Sequence, residues 1–210
     1  MKQARDLFAK CKFTEVQLDA IRQLYFKYFA PQMPEKYDGQ ATVVLWFKGG
    51  KWITGEGYDK NHKNYGFTVE EARLDPLWQH FAPLLPYMGK DGVITKMDGN
   101  SVMSPHIDRA DRPHAIYFPV QGCTPECYSE YYDLPKEKTT NRQARKQFPE
   151  PIHQYSIHDN AYLTHVHEWH SVRNTAPHER IAFGWNFSIQ QKKSYEECRD
   201  IMISLGYIDE

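Results

Sequence analysis

"SPHIDRADRPHAIYFPV", residues 104–120, sets His106 and Asp108 one residue apart just ahead of an apolar run. Side chains at i and i+2 on a strand point to the same face. An imidazole and a carboxylate presented side by side are two ligands of a kind that transition metals take. The pair alone is weak evidence. With ten His in the chain, His-x-Asp arises roughly 0.6 times by chance, so a motif match of this kind is only a hypothesis. A hydrogen-bonded pair is the ordinary alternative, and the meaning depends on a third ligand downstream.

That ligand is sought in "HVHEWHSVRNTAPHERIAFGWNF", residues 165–187, which holds four histidines and ends in a strand opened by Arg180. A mononuclear site of two His and one carboxylate binds metal on one face and leaves the other open for a bidentate cosubstrate and dioxygen. A dicarboxylate cosubstrate then needs a fixed cation at its far end, and the planar fork of Arg suits a carboxylate. Of the ten His, only His170 has an Arg ten residues on. That span allows a strand end, a tight turn at "NTAPHE" and an antiparallel return strand. His165 and His167 are rivals sharing a strand face, but they miss this spacing by five and three residues. Arg173 competes as the cation, yet it is expected in the turn with no strand to fix it.

In this order, "PHID", "AIYFPV", "WHSVRN" and "HERIAFGWNF" make the sequence similar to the Fe(II)/2-oxoglutarate-dependent dioxygenases, over residues 92–189. The resemblance implies that His106, Asp108 and His170 bind Fe(II) and that Arg180 holds the distal carboxylate of 2-oxoglutarate. It implies a double-stranded β-helix, a jelly roll with the metal in its mouth. It also implies O2-dependent hydroxylation of a C–H bond, with release of succinate and CO2. Asn186, on the face of Arg180 by alternation, would line the cosubstrate pocket. Arg109 and Arg112 are plain surface charge or contacts to a substrate carboxylate at the rim. Family members that halogenate have a small residue where Asp108 stands. Nucleic-acid demethylases carry a second Arg where Asn186 stands. The plant and penicillin-synthase branch has Ser at the position of Ala182. The loosest likeness is to small bacterial or viral hydroxylases of amino acids or protein side chains.

The rest of the chain supports a mainly β protein with flanking helices (α+β). Residues 14–29 show an amphipathic pattern, with Val16, Leu18, Ile21, Leu24, Tyr25 and Phe29 on one face, Thr14 as N-cap and Pro31 as stop. Residues 41–47 and 51–58 flank Gly49-Gly50 as a hairpin. Residues 68–85 suggest one or two short helices interrupted at Pro76. Strands are expected at 92–98, 114–120, 161–166 and 180–189, and a short helix at 194–207. Strand and helix do not alternate, which excludes a parallel α/β sheet and favours a barrel or sandwich braced by N-terminal helices. One domain, 1–210, is expected: supporting elements over 1–91, the metal-binding core over 92–189 and a closing helix over 190–210. Within it, 122–159 reads as a polar surface excursion or a lid.

Lys plus Arg number 26 against 27 acidic residues, which gives no bulk electrostatic reason to bind nucleic acid or anionic membranes. Apolar runs are too short to span a bilayer, and the charged start of the chain lacks the apolar core of a signal peptide. Four Cys at 11, 123, 127 and 198 form no framework and read as reduced thiols in a cytoplasmic protein. A small-molecule or protein side-chain substrate and a monomer or homodimer fit these bounds. His114 and His178 are expected at surface turns, His153 and His158 are not expected as ligands, and Trp169 is expected to pack. Two other classes stay open. One is a cupin-like, non-enzymatic protein whose zinc site is closed by His165 or His167. The other is a metal-independent binding module.

Overall fold

The computed structural model describes residues 2–32, 42–48, 51–54, 74–108, 114–136, 149–188 and 190–210. The segment "RIAFGWNF", Arg180–Phe187, forms a strand buried at every position. Its two faces have different partners. Ile181, Phe183, Trp185 and Phe187 join the large core beneath the helices. Ala182 joins a second core with Tyr131, Tyr155 and Leu7. A strand covered on both faces cannot show polar alternation, so the apolar run in the sequence is what a central strand looks like.

In chain order the strands are β1 (Phe8–Lys10), β2 (Thr42–Lys48), β3 (Lys51–Thr54), β4 (Met88–Met97), β5 (Ser101–His106), β6 (Ala115–Gln121), β7 (Cys127–Tyr131), β8 (His153–Ser156), β9 (Tyr162–Thr164), β10 (His170–Asn174) and β11 (Arg180–Phe187). The seven-stranded sheet runs β1-β9-β6-β11-β4-β2-β3 and the four-stranded sheet runs β5-β10-β7-β8. Every pairing is antiparallel. The two curled sheets enclose an apolar interior in the jelly-roll manner, and the expected mainly β architecture with few helices is what the chain adopts.

One helix, α1 (Glu15–Leu24), begins at Thr14, whose hydroxyl accepts from Gln17 N while the Gln17 side chain accepts from Thr14 N. This reciprocal cap satisfies two of the donors a helix start leaves orphaned. Leu18, Ile21, Leu24, Tyr25 and Phe29 are buried as expected, but Val16 is 60% exposed. At 3.6 residues per turn, Val16 lies about 200° round the helix from Leu18, off the buried stripe. The helix does not stop before Pro31. It passes through a π-helical stretch, Tyr25–Phe29, into a 3-10 turn, Ala30–Gln32, that contains the proline. A fixed φ near −65° suits such a turn.

Asp75 caps a 3-10 helix, Pro76–Phe81, by accepting from Leu77 N. The C-terminal helix α2 (Tyr195–Ser204) repeats the reciprocal cap with Ser194 and Glu197. Trp78, Phe81, Tyr195, Cys198 and Met202 pack with α1 on the outer face of the seven-stranded sheet. Gly184 lies on the inner face of β11, where a Cβ would meet Val93 Cγ1 at 2.6 Å and Tyr117 Cε1 at 2.8 Å. The glycine lets those side chains close over the strand.

The segment 122–159 is more than an excursion, since it supplies β7 and β8, half of the smaller sheet. Its strands are short and carry Ser129 and Glu130, buried polar residues that hide the apolar signature. Of the polar, mostly basic stretch 136–147 only Lys136 is among the described residues, and the expected hairpin turn at Gly49-Gly50 lies outside them.

Candidate metal centre

His106 ends β5 and His170 begins β10, and the two are direct partners in the antiparallel register. Tyr131 of β7 faces His170 from the other side. The register slips between the His170–His106 and Val172–Met103 pairs, leaving an extra residue on β5. Pro105 falls in that irregularity. Having no N–H, it cannot feed the ladder, and bulges tolerate it.

The imidazole rings approach to 4.3 Å between centroids. Each is oriented from behind. His106 Nδ1 lies 2.8 Å from Ser104 O, and His170 Nδ1 lies 2.8 Å from Glu168 O. A carbonyl only accepts, so each Nδ1 carries the proton and each Nε2 presents a lone pair in the neutral ring. Asp108 completes the group, with carboxylate oxygens 3.8 Å from His106 Nε2 and 4.0 Å from His170 Nε2. All three donors lie within 4.8 Å of one another. Asp108 stands two residues past the end of β5, so it does not share a strand face with His106 as i and i+2 would suggest. A loop places it instead, through Asp108 N donating to Val166 O at 3.1 Å.

That loop, 165–169, is pinned throughout. His165 N donates to Leu7 O at 2.9 Å and Tyr132 N to Trp169 O at 3.0 Å. The Glu168 carboxylate pairs with Lys2 and Lys136. Burial would raise its pKa, but the two ammonium groups outweigh that and hold it below the usual carboxylate range. Trp169 packs with Tyr132, as expected for a buried aromatic.

The ten-residue link from His170 to Arg180 is not a hairpin. β10 belongs to the smaller sheet and β11 to the larger, so the chain crosses between sheets. Asn174 fixes the crossing: its amide donates to Asp98 O and to His178 O, each at 2.8 Å, and its carbonyl accepts from Cys127 Sγ at 3.0 Å. Gly122, at φ 62°, lies so close that a Cβ would fall 1.9 Å from Glu179 O. Arg180 thus enters the interior from the opposite wall to His170. It is 4% exposed, its Nε has no hydrogen-bond partner among the described residues, and its Nη1 lies 3.5 Å from Met97 Sδ, with the Cys123 thiol also beside the guanidinium. Its charge reaches the neighbouring thiol: burial pushes the Cys123 pKa up while Arg180 pulls against it. Asn186 shares the inner face, 2% exposed, and its Oδ1 has no partner among the described residues.

Arg173 is not in the turn. It lies on β10, on the face away from His170, and its Nε donates to Glu130 Oε2 at 2.6 Å. Tyr132 and Ser171 donate to the same oxygen at 2.7 and 3.0 Å. Its guanidinium is already engaged on the wrong side of the sheet. His165 and His167 are not on a strand face either; they follow β9 and gather around His114, which is 3% exposed rather than at the surface. His178 is exposed and His153 contacts Lys2 O at 2.9 Å, neither near the metal centre's donor set. Arg109 and Arg112 lie outside the described residues. The four Cys are unpaired thiols. Among the described residues no helix is long and apolar enough to cross a membrane.

No family model matches the sequence, and no curated protein matches it. Solved structures do resemble it at low identity. An oxidoreductase of the 2OG-Fe(II) oxygenase family from Burkholderia pseudomallei is 14% identical with a TM-score of 0.45, covering 82% of this chain and 77% of its own. A prolyl hydroxylase from Trichoplax adhaerens, in complex with a hypoxia inducible factor peptide fragment, is 14% identical with a TM-score of 0.43, covering 89% and 86%. HygX from Streptomyces hygroscopicus, with nickel and 2-oxoglutarate bound, is 11% identical with a TM-score of 0.43, covering 85% and 81%. 2OG-Fe(II) oxygenases are among the structural neighbours of this chain, and the His-x-Asp…His motif stands in its structure as His106, Asp108 and His170.

Proposed function

We propose that residues 1–210 form one non-haem Fe(II)- and 2-oxoglutarate-dependent dioxygenase that hydroxylates a C–H bond of an amino-acid-like small molecule or a protein side chain, releasing succinate and CO2. One observation carries it: two imidazoles and a carboxylate converge within 4.8 Å, and both imidazoles are held by backbone carbonyls with Nε2 turned inward. This donor set fits Fe(II), and three ligands leave positions open for a bidentate cosubstrate and O2.

The opposite wall supports the same reading. A guanidinium buried without an anion is costly, and among the described residues no carboxylate pairs with Arg180, which lies beside a polar, buried Asn186. The distal carboxylate of 2-oxoglutarate would satisfy Arg180 with two charge-assisted hydrogen bonds. Ala182, between them on the inner face, takes up little space there, while Val93 and Tyr117 close over Gly184. Phe8, Tyr131 and Tyr155 stack at 4.6–6.3 Å between the sheets and keep bulk water from the interior.

Bound iron with 2-oxoglutarate and O2 supplies the oxidising power for C–H hydroxylation, which no side chain provides. The chain's own work is to orient the donors, anchor the cosubstrate and exclude water. Ser104 and Glu168 fix the imidazole tautomers through their carbonyls, Val166 fixes Asp108, and Asn174 fixes the approach of Arg180. Reduced thiols at all four Cys support a cytoplasmic setting.

The closed zinc site of a non-enzymatic protein would need a fourth ligand. His165 and His167, the residues expected to supply it, lie with His114 instead.

The test is anaerobic addition of Fe(II) and then 2-oxoglutarate to metal-free protein. A visible metal-to-ligand charge-transfer band is expected in the wild type and is lost in His170→Ala. A wild type that takes up metal but shows no band rejects the proposal and favours the zinc protein. Succinate release under O2 then serves to screen amino acids and peptides as substrates.

A further inference from the structure

His114, His165 and His167 form a second cluster that the dioxygenase reading does not use. Their donor nitrogens lie within 4.8 Å of one another. His114 stands at the entry to β6, and the other two lie in the loop between β9 and β10. Ring centroids are 5.0 Å apart for His114–His165 and 4.7 Å for His114–His167. As at the first site, a carbonyl sits behind one ring: His165 Nδ1 lies 3.0 Å from Asp6 O. That fixes the Nδ1–H tautomer and leaves Nε2 as the coordinating atom.

We propose that His114, His165 and His167 form a second metal site, which takes a divalent ion of the zinc class through three neutral imidazoles. Packing alone does not explain the arrangement. Apolar or aromatic side chains would fill the space between β6 and the loop without three polar rings turned together. The donor set also differs from the first site in the direction that separates metals. It has no carboxylate among its three donors, and three imidazoles with one open position suit Zn²⁺ or Co²⁺ in tetrahedral geometry.

The wall is complete on one side. Tyr195 of α2 lies parallel to His165, 4.8 Å between centroids and 4° between planes. Its hydroxyl is buried with no hydrogen-bond partner among the described residues. The ion would tie β6, the loop and thereby α2 into one unit. The two sites share this loop: Val166, between His165 and His167, is the residue whose carbonyl holds Asp108 N.

Testing it requires silencing the first site. In His106→Ala/His170→Ala full-length protein, equilibrium dialysis against Zn²⁺ should leave one ion per chain. Adding His167→Ala should reduce this to none. His167 is half-buried in a turn, so its loss is tolerated better than that of His114. A double variant that binds no zinc overturns the proposal, as does a triple variant that still binds one ion. A second measurement needs no variant. Co²⁺ added to metal-free wild type should give the intense visible bands of a tetrahedral ion, unchanged by 2-oxoglutarate, which binds elsewhere. Only the weak bands of higher coordination, or tetrahedral bands that 2-oxoglutarate shifts, also overturn it. Neither readout depends on whether the first site holds iron.

Discussion

Arg180 is the residue on which the cosubstrate assignment turns. It is buried, faces the interior from the opposite sheet to the candidate metal ligands, and among the described residues its recorded side-chain contacts are to the sulfurs of Met97 and Cys123. Truncating one partner of a buried charge pair costs about 2–4 kcal/mol in affinity, roughly 30- to 700-fold. Arg180→Ala should therefore raise the KM for 2-oxoglutarate by that factor while Fe(II) still binds at His106, Asp108 and His170. Arg180→Lys should recover part of the loss, since a point charge replaces a fork. If Arg180→Ala also released the metal, the residue would be holding the fold rather than the cosubstrate.

This residue was legible because ligand and cation come at a fixed separation along the chain. Asn174, which holds the crossing, was not, because its hydrogen bonds reach Asp98 and Cys127, 76 and 47 residues away. His114 was misjudged for a related reason. A His beside a charged turn looks exposed until the long-range packing of α2 covers it.

The element that frames the candidate metal centre most directly is β10, and its two faces do different things. Towards the interior it presents His170. Away from it, Ser171 and Arg173 bind Glu130 of β7. Burial alone would raise the pKa of Glu130, but hydrogen bonds from Arg173, Tyr132 and Ser171 hold it below the ordinary range. The pair locks β7 to β10, and with them Tyr131 against His170. Breaking a fully buried pair costs about 3–5 kcal/mol. Arg173 is 30% exposed, so Arg173→Met should destabilise by about 2–3 kcal/mol in urea unfolding at pH 7. The sign of the pH dependence follows from the depressed pKa. The contribution of Glu130 is full above its unfolded-state value of about 4.3 and is lost as the pH falls through the lower folded value. The penalty of Arg173→Met should shrink over that same fall, because an isolated Glu130 is then free to protonate. A penalty that stays constant from pH 7 to pH 3 would show that the substitution acts through packing.

Elements were read from the sequence in proportion to the regularity of their apolar pattern and not to their length, since three-residue β9 was legible at 161–166. The two capped helices and β4, β6 and β11 were legible. β5, β7 and β8, with four to six residues each, were not. Pro105, Ser129 and Glu130 break the apolar pattern of β5 and β7, which are held by pairing with β10, while β8 is held by pairing with β7.

For the whole molecule, the decisive feature is that the candidate site spans the two sheets. The candidate metal ligands hang from the four-stranded sheet and its loop, and Arg180 and Asn186 from the seven-stranded one. A mainly β barrel or sandwich was readable from the number and order of strands, and the jelly roll itself came from the resemblance carried by the His-x-Asp…His…Arg motif. That His170 and Arg180 would sit on opposite walls was not, since a short link looks like a hairpin whether or not its strands pair. A ligand that touches both walls closes the molecule as well as filling it, and binding to the native state alone stabilises by RT ln(1 + [L]/Kd), about 2.7 kcal/mol at 100 times Kd. For a domain of this size each kcal/mol moves Tm by about 2–4 °C, so a saturating ligand should add about 5–11 °C. Ni²⁺ serves as the metal, because it supports the chelate without turnover. In the wild type, 2-oxoglutarate added to nickel-loaded protein should raise Tm by a further increment of this size. In Arg180→Ala the nickel increment should remain and the 2-oxoglutarate increment should vanish, because the bridge to the larger sheet is gone. Equal 2-oxoglutarate increments in the two proteins would mean that the cosubstrate is held from the metal side alone, and that Arg180 plays no part in joining the walls.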